Sequence, residues 1–135
     1  MKIMLDTNIC IALIKRKPAH VLQKLQTYAA GEIGISSITL AELRFGASKS
    51  QHSAKNHATL DKFLLPLDIA DFDEAATKCY GELRSTLEKQ GTPIGALDTL
   101  IAAHALSLNL PLATHNTREF NRVAGLQVED WISQG

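Results

Sequence analysis

The sequence is poor in the features that most quickly assign a protein. Its 135 residues contain only two cysteines. Cys10 and Cys79 lack metal-ligand spacing and both fall in apolar helical patterns, so they read as reduced core or near-core thiols, with no disulfide. Net charge is also missing: 14 basic residues balance 14 acidic ones, which argues against a protein that coats nucleic acid through bulk charge. No segment approaches the roughly 20 apolar residues that span a bilayer. Met1-Lys2 leads directly into a strand pattern rather than a cleavable signal, so a cytoplasmic protein with no membrane contact is expected. Internal repeats and low-complexity segments are absent. What is present is 45% hydrophobic content, enough at this length to bury roughly two thirds of the unfolded surface as one domain over 1–135.

The apolar run Ile3-Met4-Leu5 fits a buried central strand and stops at Asp6. Ile9, Ile11, Ala12, Leu13 and Ile14 then follow helical spacing, which places Asp6 or Thr7 at a helix N-cap. A second helix is predicted from Pro18, with Val21, Leu22, Leu25 and Tyr28 on one side. Ile33-Gly34-Ile35 reads as a brief strand, and Ser36-Ser37 as the cap of a helix through Glu42 to Gly46. The polar stretch Ser48 to Asn56 reads as a loop into a helix with Leu60, Phe63 and Leu64. Leu67-Asp68-Ile69 reads as a short strand, with Asp71 capping a long helix that Gly91 stops. After the loop to Gly95, Asp98 enters a strongly apolar helix on which Leu97, Leu100, Ile101, His104, Ala105 and Leu108 share helical spacing. Leu110 to Ala113 and Leu126 to Val128 complete the strands, around a short helix near Arg118 to Asn121. Alternating helices and short strands imply an α/β domain with a mostly parallel sheet.

Three acids stand at junctions of this pattern. Asp6 lies at the carboxyl end of a strand, where open α/β sheets gather ligands; Glu42 and Asp98 lie in helices that follow a strand and a loop. Each has a plain structural reading. Asp6 and Asp98 are plausible caps, and Glu42 is a plausible solvated side chain. As a set they point to a metal pocket, because carboxylates brought together without a cation repel one another and raise at least one pKa. Oxygen ligands with no cysteine or paired-histidine motif favour magnesium or manganese over zinc. Such an ion promotes hydrolysis of a phosphodiester by water without a covalent nucleophile. With Asp6, Glu42, Asp98 and Glu119 withdrawn into a pocket, 10 of the 14 acids are left against 14 basic residues, a mildly basic surface suited to a phosphate backbone. Lys15, Arg16, Lys17, Lys49, Arg118 and Arg122 are the candidate contacts to such a backbone, Arg118 foremost, although charge runs are usually solvated faces. His104, on an apolar helical face, reads as a packed and hydrogen-bonded core residue, and His115 as exposed.

The segments Leu5-Asp6-Thr7-Asn8, Ser37 to Leu43 with Gly46, Leu97 to Ala105, and Ala113 to Phe120 occur in an order that resembles the PIN domain family. More closely they resemble the VapC toxins of bacterial VapBC toxin–antitoxin pairs, along essentially the whole chain. The resemblance implies a PIN-like α/β/α sandwich and a magnesium- or manganese-dependent endoribonuclease in which Asp6, Glu42 and Asp98 are the catalytic acids, Asp6 and Asp98 binding metal. Thr7 would steady the pocket, and Thr114 or Asn116 would hold a water or a phosphate oxygen. The family often carries a fourth acid where this chain has Asn116, a departure that bears on a second tightly held metal, and Glu119 is close enough in sequence to help through water. Leu5 to Ile11, Asn116 to Phe120 and Glu129 to Trp131 are similar to an enterobacterial subgroup that cuts initiator transfer RNA in the anticodon loop and blocks translation. A VapB-type antitoxin, a toxin homodimer and a toxin–antitoxin hetero-oligomer are the partners this implies. Leu13, Ile14, Val21, Leu25 and Phe45 could serve those surfaces or the chain's own core.

Two other readings compete. A haloacid dehalogenase-type phosphotransferase also begins with a strand-end aspartate, but it needs an Asp-x-Asp pair and position 8 is Asn8. A catalytically weak domain of the same fold, binding RNA or protein, is compatible with Asn116 and disfavoured by the retention of three acids.

Overall fold

Among the described residues every strand pairing is parallel, and the chain order shows why: each of the first four strands is followed by one or more helices that return the chain to the same end of the sheet. The computed structural model describes residues 1–133. In chain order the elements are β1 (Ile3–Leu5), α1 (Thr7–Lys15), α2 (Ala19–Leu25), β2 (Ile33–Ser36), α3 (Ser37–Lys49), α4 (Ser53–Leu64), β3 (Asp68–Ala70), α5 (Glu74–Lys89), α6 (Ala96–Ser107), β4 (Leu112–Ala113), α7 (Thr117–Phe120) and β5 (Val128–Glu129). The strands lie in the order β3-β2-β1-β4-β5, with Ile3 opposite Ile33 and Leu5 opposite both Ile35 and Ala113.

β1 is central and wholly buried, and its side chains divide by the period of two that a strand imposes. Ile3 and Leu5 enter a core with Ile9, Leu13, Val21, Leu43 and Leu60, contributed by α1 to α4. Met4 enters a second core with Ile101, Ala105, Leu112 and Phe120, contributed by α6, β4 and α7. Two apolar cores on opposite faces of one sheet make the α/β/α arrangement that the resemblance implies. Both cysteines are free thiols, Cys10 fully buried and Cys79 partly so. Burial pushes the Cys10 thiol well above its ordinary value. No helix among the described residues is long and apolar enough to cross a membrane.

Several boundaries differ from the sequence reading. α3 continues through Gly46 to Lys49, because Leu43 and Ala47 are both buried across that glycine and packing outweighs its weak helix propensity. The predicted loop from Ser48 to Asn56 is mostly helical. Its polar side chains are used between helices: Arg44 of α3 reaches Asp61 (2.6 Å) and His57 (3.2 Å) of α4, and Ser48 meets His57 at 3.0 Å. α2 stops at Leu25, so Tyr28 lies outside it, its ring stacked on Trp131 at 5.9 Å. β3 begins at Asp68, and Asp73 rather than Asp71 caps α5, accepting from the Ala76 N–H at 3.0 Å. β4 and β5 hold two residues each, β5 lying at Val128–Glu129 because Val128 pairs with Leu112.

Candidate active site at the switch between β1 and β4

The chain builds β2 and β3 outward on one side of β1, then crosses back to place β4 and β5 on the other. The β1/β4 boundary is therefore where strand order reverses, and in open parallel sheets the crevice beyond the strand ends at such a boundary is the ligand site. Asp6 follows β1 and Thr114 follows β4, joined across the sheet by the Asp6 N–H donating to the Ala113 carbonyl at 3.0 Å.

Asp6 is only 3% exposed, and both its carboxylate oxygens are held. Oδ1 accepts the Ile9 N–H at 2.9 Å, the N-cap bond of α1, and Oδ2 accepts the Thr114 hydroxyl. Cap and pocket residue are thus one side chain. Thr114 is fully buried and its oxygen also accepts the Asn116 N–H at 2.9 Å. Burial raises the Asp6 pKa, the two donors oppose that rise, and the charge of Glu42 adds to it. Glu42, on α3, is fixed by the Thr7 hydroxyl, which donates to its Oε1 at 2.7 Å.

Asp98 is not a cap. Gly95 occupies that position, with no side-chain bond, which leaves the Asp98 carboxyl directed into the pocket from the first turn of α6. Its pKa is pushed up to about 6, first by burial, then by hydrogen bonding with the Glu119 carboxyl and by the charges of Glu119, Asp6 and Glu42. Glu119 is in turn held by the Asn116 side-chain amide, which donates to Oε2 at 2.9 Å. Hydrogen bonds therefore run from Asp6 through Thr114 and Asn116 to Glu119, whose carboxyl raises the pKa of Asp98. None of these four acids, Glu42 included, forms a salt bridge with a protein cation among the described residues.

That arrangement is chemically unbalanced in a way a divalent cation corrects. The donor set is all oxygen, and its one strongly raised pKa comes first from burial and then from neighbouring carboxyl groups. Among the described residues no three His, Cys, Asp or Glu side chains stand close enough to cage an ion unaided. Magnesium does not require a cage, since it keeps most of its water and binds through one or two carboxylates.

The remaining sequence candidates divide. Lys15 lines a hollow of about 260 Å³ with Glu42 and Leu43. Lys17 follows α1 after the left-handed cap residue Arg16; no contact brings it to the acids. Arg118 is exposed on α7, and Arg122 is engaged with the Pro93 carbonyl at 2.9 Å. His104 is buried, its Nδ1 2.7 Å from the Ser36 hydroxyl. Since Ser36 Oγ already accepts the Ile38 N–H, the hydroxyl proton is free for the ring, and burial lowers the His104 pKa. His115 is exposed and pairs with Asp130 at 3.3 Å. Leu97 and Leu108, assigned by spacing to the apolar helix face, are both exposed. α6 is apolar on nearly every side, so periodicity carried no signal that Leu97, beside Asp98, faces outward.

With this geometry in hand, comparison with known proteins gives concordant results. The PIN domain profile matches residues 3–126. A tRNA(fMet)-specific endonuclease VapC of Shigella flexneri is 48% identical over 131 residues, covering 97% of this chain and 98% of the relative. Among solved structures, the DNA-bound VapBC of Salmonella typhimurium superposes with a TM-score of 0.92 at 43% identity, covering 97% of this chain and 98% of that one. VapBC2 of Rickettsia felis, bound to a DNA fragment from its promoter, gives 0.91 at 45% identity, covering 97% and 99%. A parallel sheet with a buried aspartate at its switch point, matched along almost its full length by such proteins, makes this chain a member of the PIN domain family.

Proposed function

We propose that this protein is the toxin of a type II toxin–antitoxin pair, a divalent-metal-dependent endoribonuclease that hydrolyses initiator transfer RNA in the anticodon loop, acting in the cytoplasm as a single domain restrained by a VapB-type antitoxin. The observation that carries the reading is buried Asp6 at the β1/β4 strand-end crevice, with Asp98, Glu119 and Glu42 near enough for the charges of the others to raise the Asp98 pKa, and no salt bridge from any of the four to a cation among the described residues. Likeness to VapC endonucleases and VapBC complexes supports the substrate and the partner.

Asp6 and Asp98 would hold magnesium or manganese. Such an ion, when bound, offsets phosphate charge and eases deprotonation of water. The rest of the chemistry belongs to the chain. Thr114 and the start of α1 fix both oxygens of Asp6, so this ligand is oriented before substrate arrives. Thr7 holds the Glu42 carboxylate beside the crevice, where it can accept a proton from the attacking water. Asn116 directs Glu119 at Asp98. In-line attack by water on phosphorus breaks the bond to the 3′ oxygen and releases a 5′-phosphate and a 3′-hydroxyl. A toxin homodimer and a hetero-oligomer with antitoxin complete the proposal.

The test is incubation of antitoxin-free protein with initiator and elongator transfer RNA, in magnesium, manganese or EDTA, with Asp98→Asn as control. A metal-dependent anticodon-loop cut confined to the initiator is expected. Cutting that persists in EDTA or in Asp98→Asn would overturn the metal-site assignment, and indifference between the two RNAs would overturn the target.

A further inference from the structure

Phe45 is 65% exposed, an unusual position for a large aromatic ring. It lies three residues after Glu42 on α3, on the same side of the helix within one turn. One turn further, the Lys49 ammonium stands 5.0 Å from the centre of the Phe45 ring. Both side chains line an open hollow of about 690 Å³ together with Thr7, Asn8, Glu42 and Leu97. Among the described residues lining this hollow, Lys49 is the one cation.

An i, i+4 cation–π pair on a helix surface gains about 0.5–1 kcal/mol and does not bury the ring, so local helix stability does not account for the arrangement. The hollow needs an occupant with two properties. It must present a flat apolar face to the ring and a negative charge to the ammonium, and it must reach the end of the hollow where Thr7 holds the Glu42 carboxylate. An apolar protein segment would cover the ring but strip the ammonium of water without replacing its partner. An unpaired nucleotide supplies both, since its base stacks and its phosphate pairs, and these are the two parts from which single-strand platforms are built.

We infer that Phe45 and Lys49 form a nucleotide subsite next to the scissile bond, the ring stacking on one unpaired base and Lys49 meeting a phosphate of that nucleotide. This rests on the nuclease reading above. In that role the pair decides which loop nucleotides can be splayed toward the acids, so it sets cleavage position as well as affinity.

The experiment uses the anticodon stem-loop of initiator transfer RNA with 2-aminopurine at successive loop positions, together with steady-state cleavage of the full transfer RNA. The full chain is compared with Phe45→Ala, Phe45→Trp and Lys49→Met. Since Phe45 is exposed, all three variants are expected to fold, as checked by circular dichroism. Phe45→Ala is expected to raise KM about 10-fold with little change in kcat, and Phe45→Trp to restore it. Lys49→Met is expected to flatten the salt dependence of KM by about one ion. 2-Aminopurine fluorescence should be quenched at one loop position by the parent chain and by Phe45→Trp, and not by Phe45→Ala. Cleavage with an unchanged KM and unchanged quenching in Phe45→Ala would overturn the subsite alone. Position-specific quenching without cleavage would keep the subsite and overturn the nuclease reading. Loss of antitoxin binding with intact RNA binding would assign the surface to a protein and overturn the inference.

Discussion

Asp98 shows how one side chain can be worse placed for stability than for chemistry. In the folded, metal-free chain it keeps its proton up to about pH 6, whereas its ordinary value is 3.8. Between those values the folded state binds a proton that the unfolded state has released, so stability falls as pH rises through that window and does not recover above it. Asp98→Asn should therefore abolish cleavage and, in EDTA at pH 7, leave the chain more stable by about 1 kcal/mol once solvent screening at this half-exposed site is allowed for. It should also remove the fall in melting temperature between pH 4 and pH 6. A lower melting temperature for the variant at pH 7 would contradict the origin of the raised pKa. Asp6 and Asp98 were legible as candidates because their junction positions are visible in the chain order, strand to helix for Asp6 and loop to helix for Asp98. The bond from Asn116 to Glu119 was not, since a side-chain hydrogen bond across one turn depends on rotamers that residue spacing does not encode.

At the level of elements, sequence signals worked where a buried strand met a capped helix and failed where polar residues were spent on neighbours. β1, β2 and α6 stand where apolar runs put them, while α4 was half hidden as a loop because the partners of its polar face, Arg44 and Ser48, lie on α3. α5 offers a sharp check on caps. Asp73→Ala should cost about 1 kcal/mol, because the Ala76 N–H loses its acceptor. Asp71→Ala, two residues earlier and making no such bond, should cost less than half of that; equal losses in urea unfolding would refute the assignment. Ser36 is the element boundary with most consequence, since one hydroxyl ends β2, caps α3 and satisfies buried His104 on α6. It ties the helices carrying Glu42 and Asp98 to the same strand end.

For the whole molecule, four acids with no counter-ion among the described residues mean that, under the proposed metal site, cation binding and folding should be coupled. Magnesium or manganese at about 100 times its dissociation constant should stabilise the protein by about 2.7 kcal/mol, raising the melting temperature by several degrees in calorimetry. An Asp6→Asn/Asp98→Asn double variant should show no rise, and a parent chain indifferent to both ions would refute the coupling. The same architecture has a consequence for how the protein is made. Asp6 and Thr114 touch across 108 positions of chain, and β4 enters the sheet beside the very first strand. The crevice can therefore close only after Thr114, Asn116 and Glu119 have joined the sheet that β1 began, and every nascent fragment that stops short of β4 lacks the hydroxyl that holds Asp6.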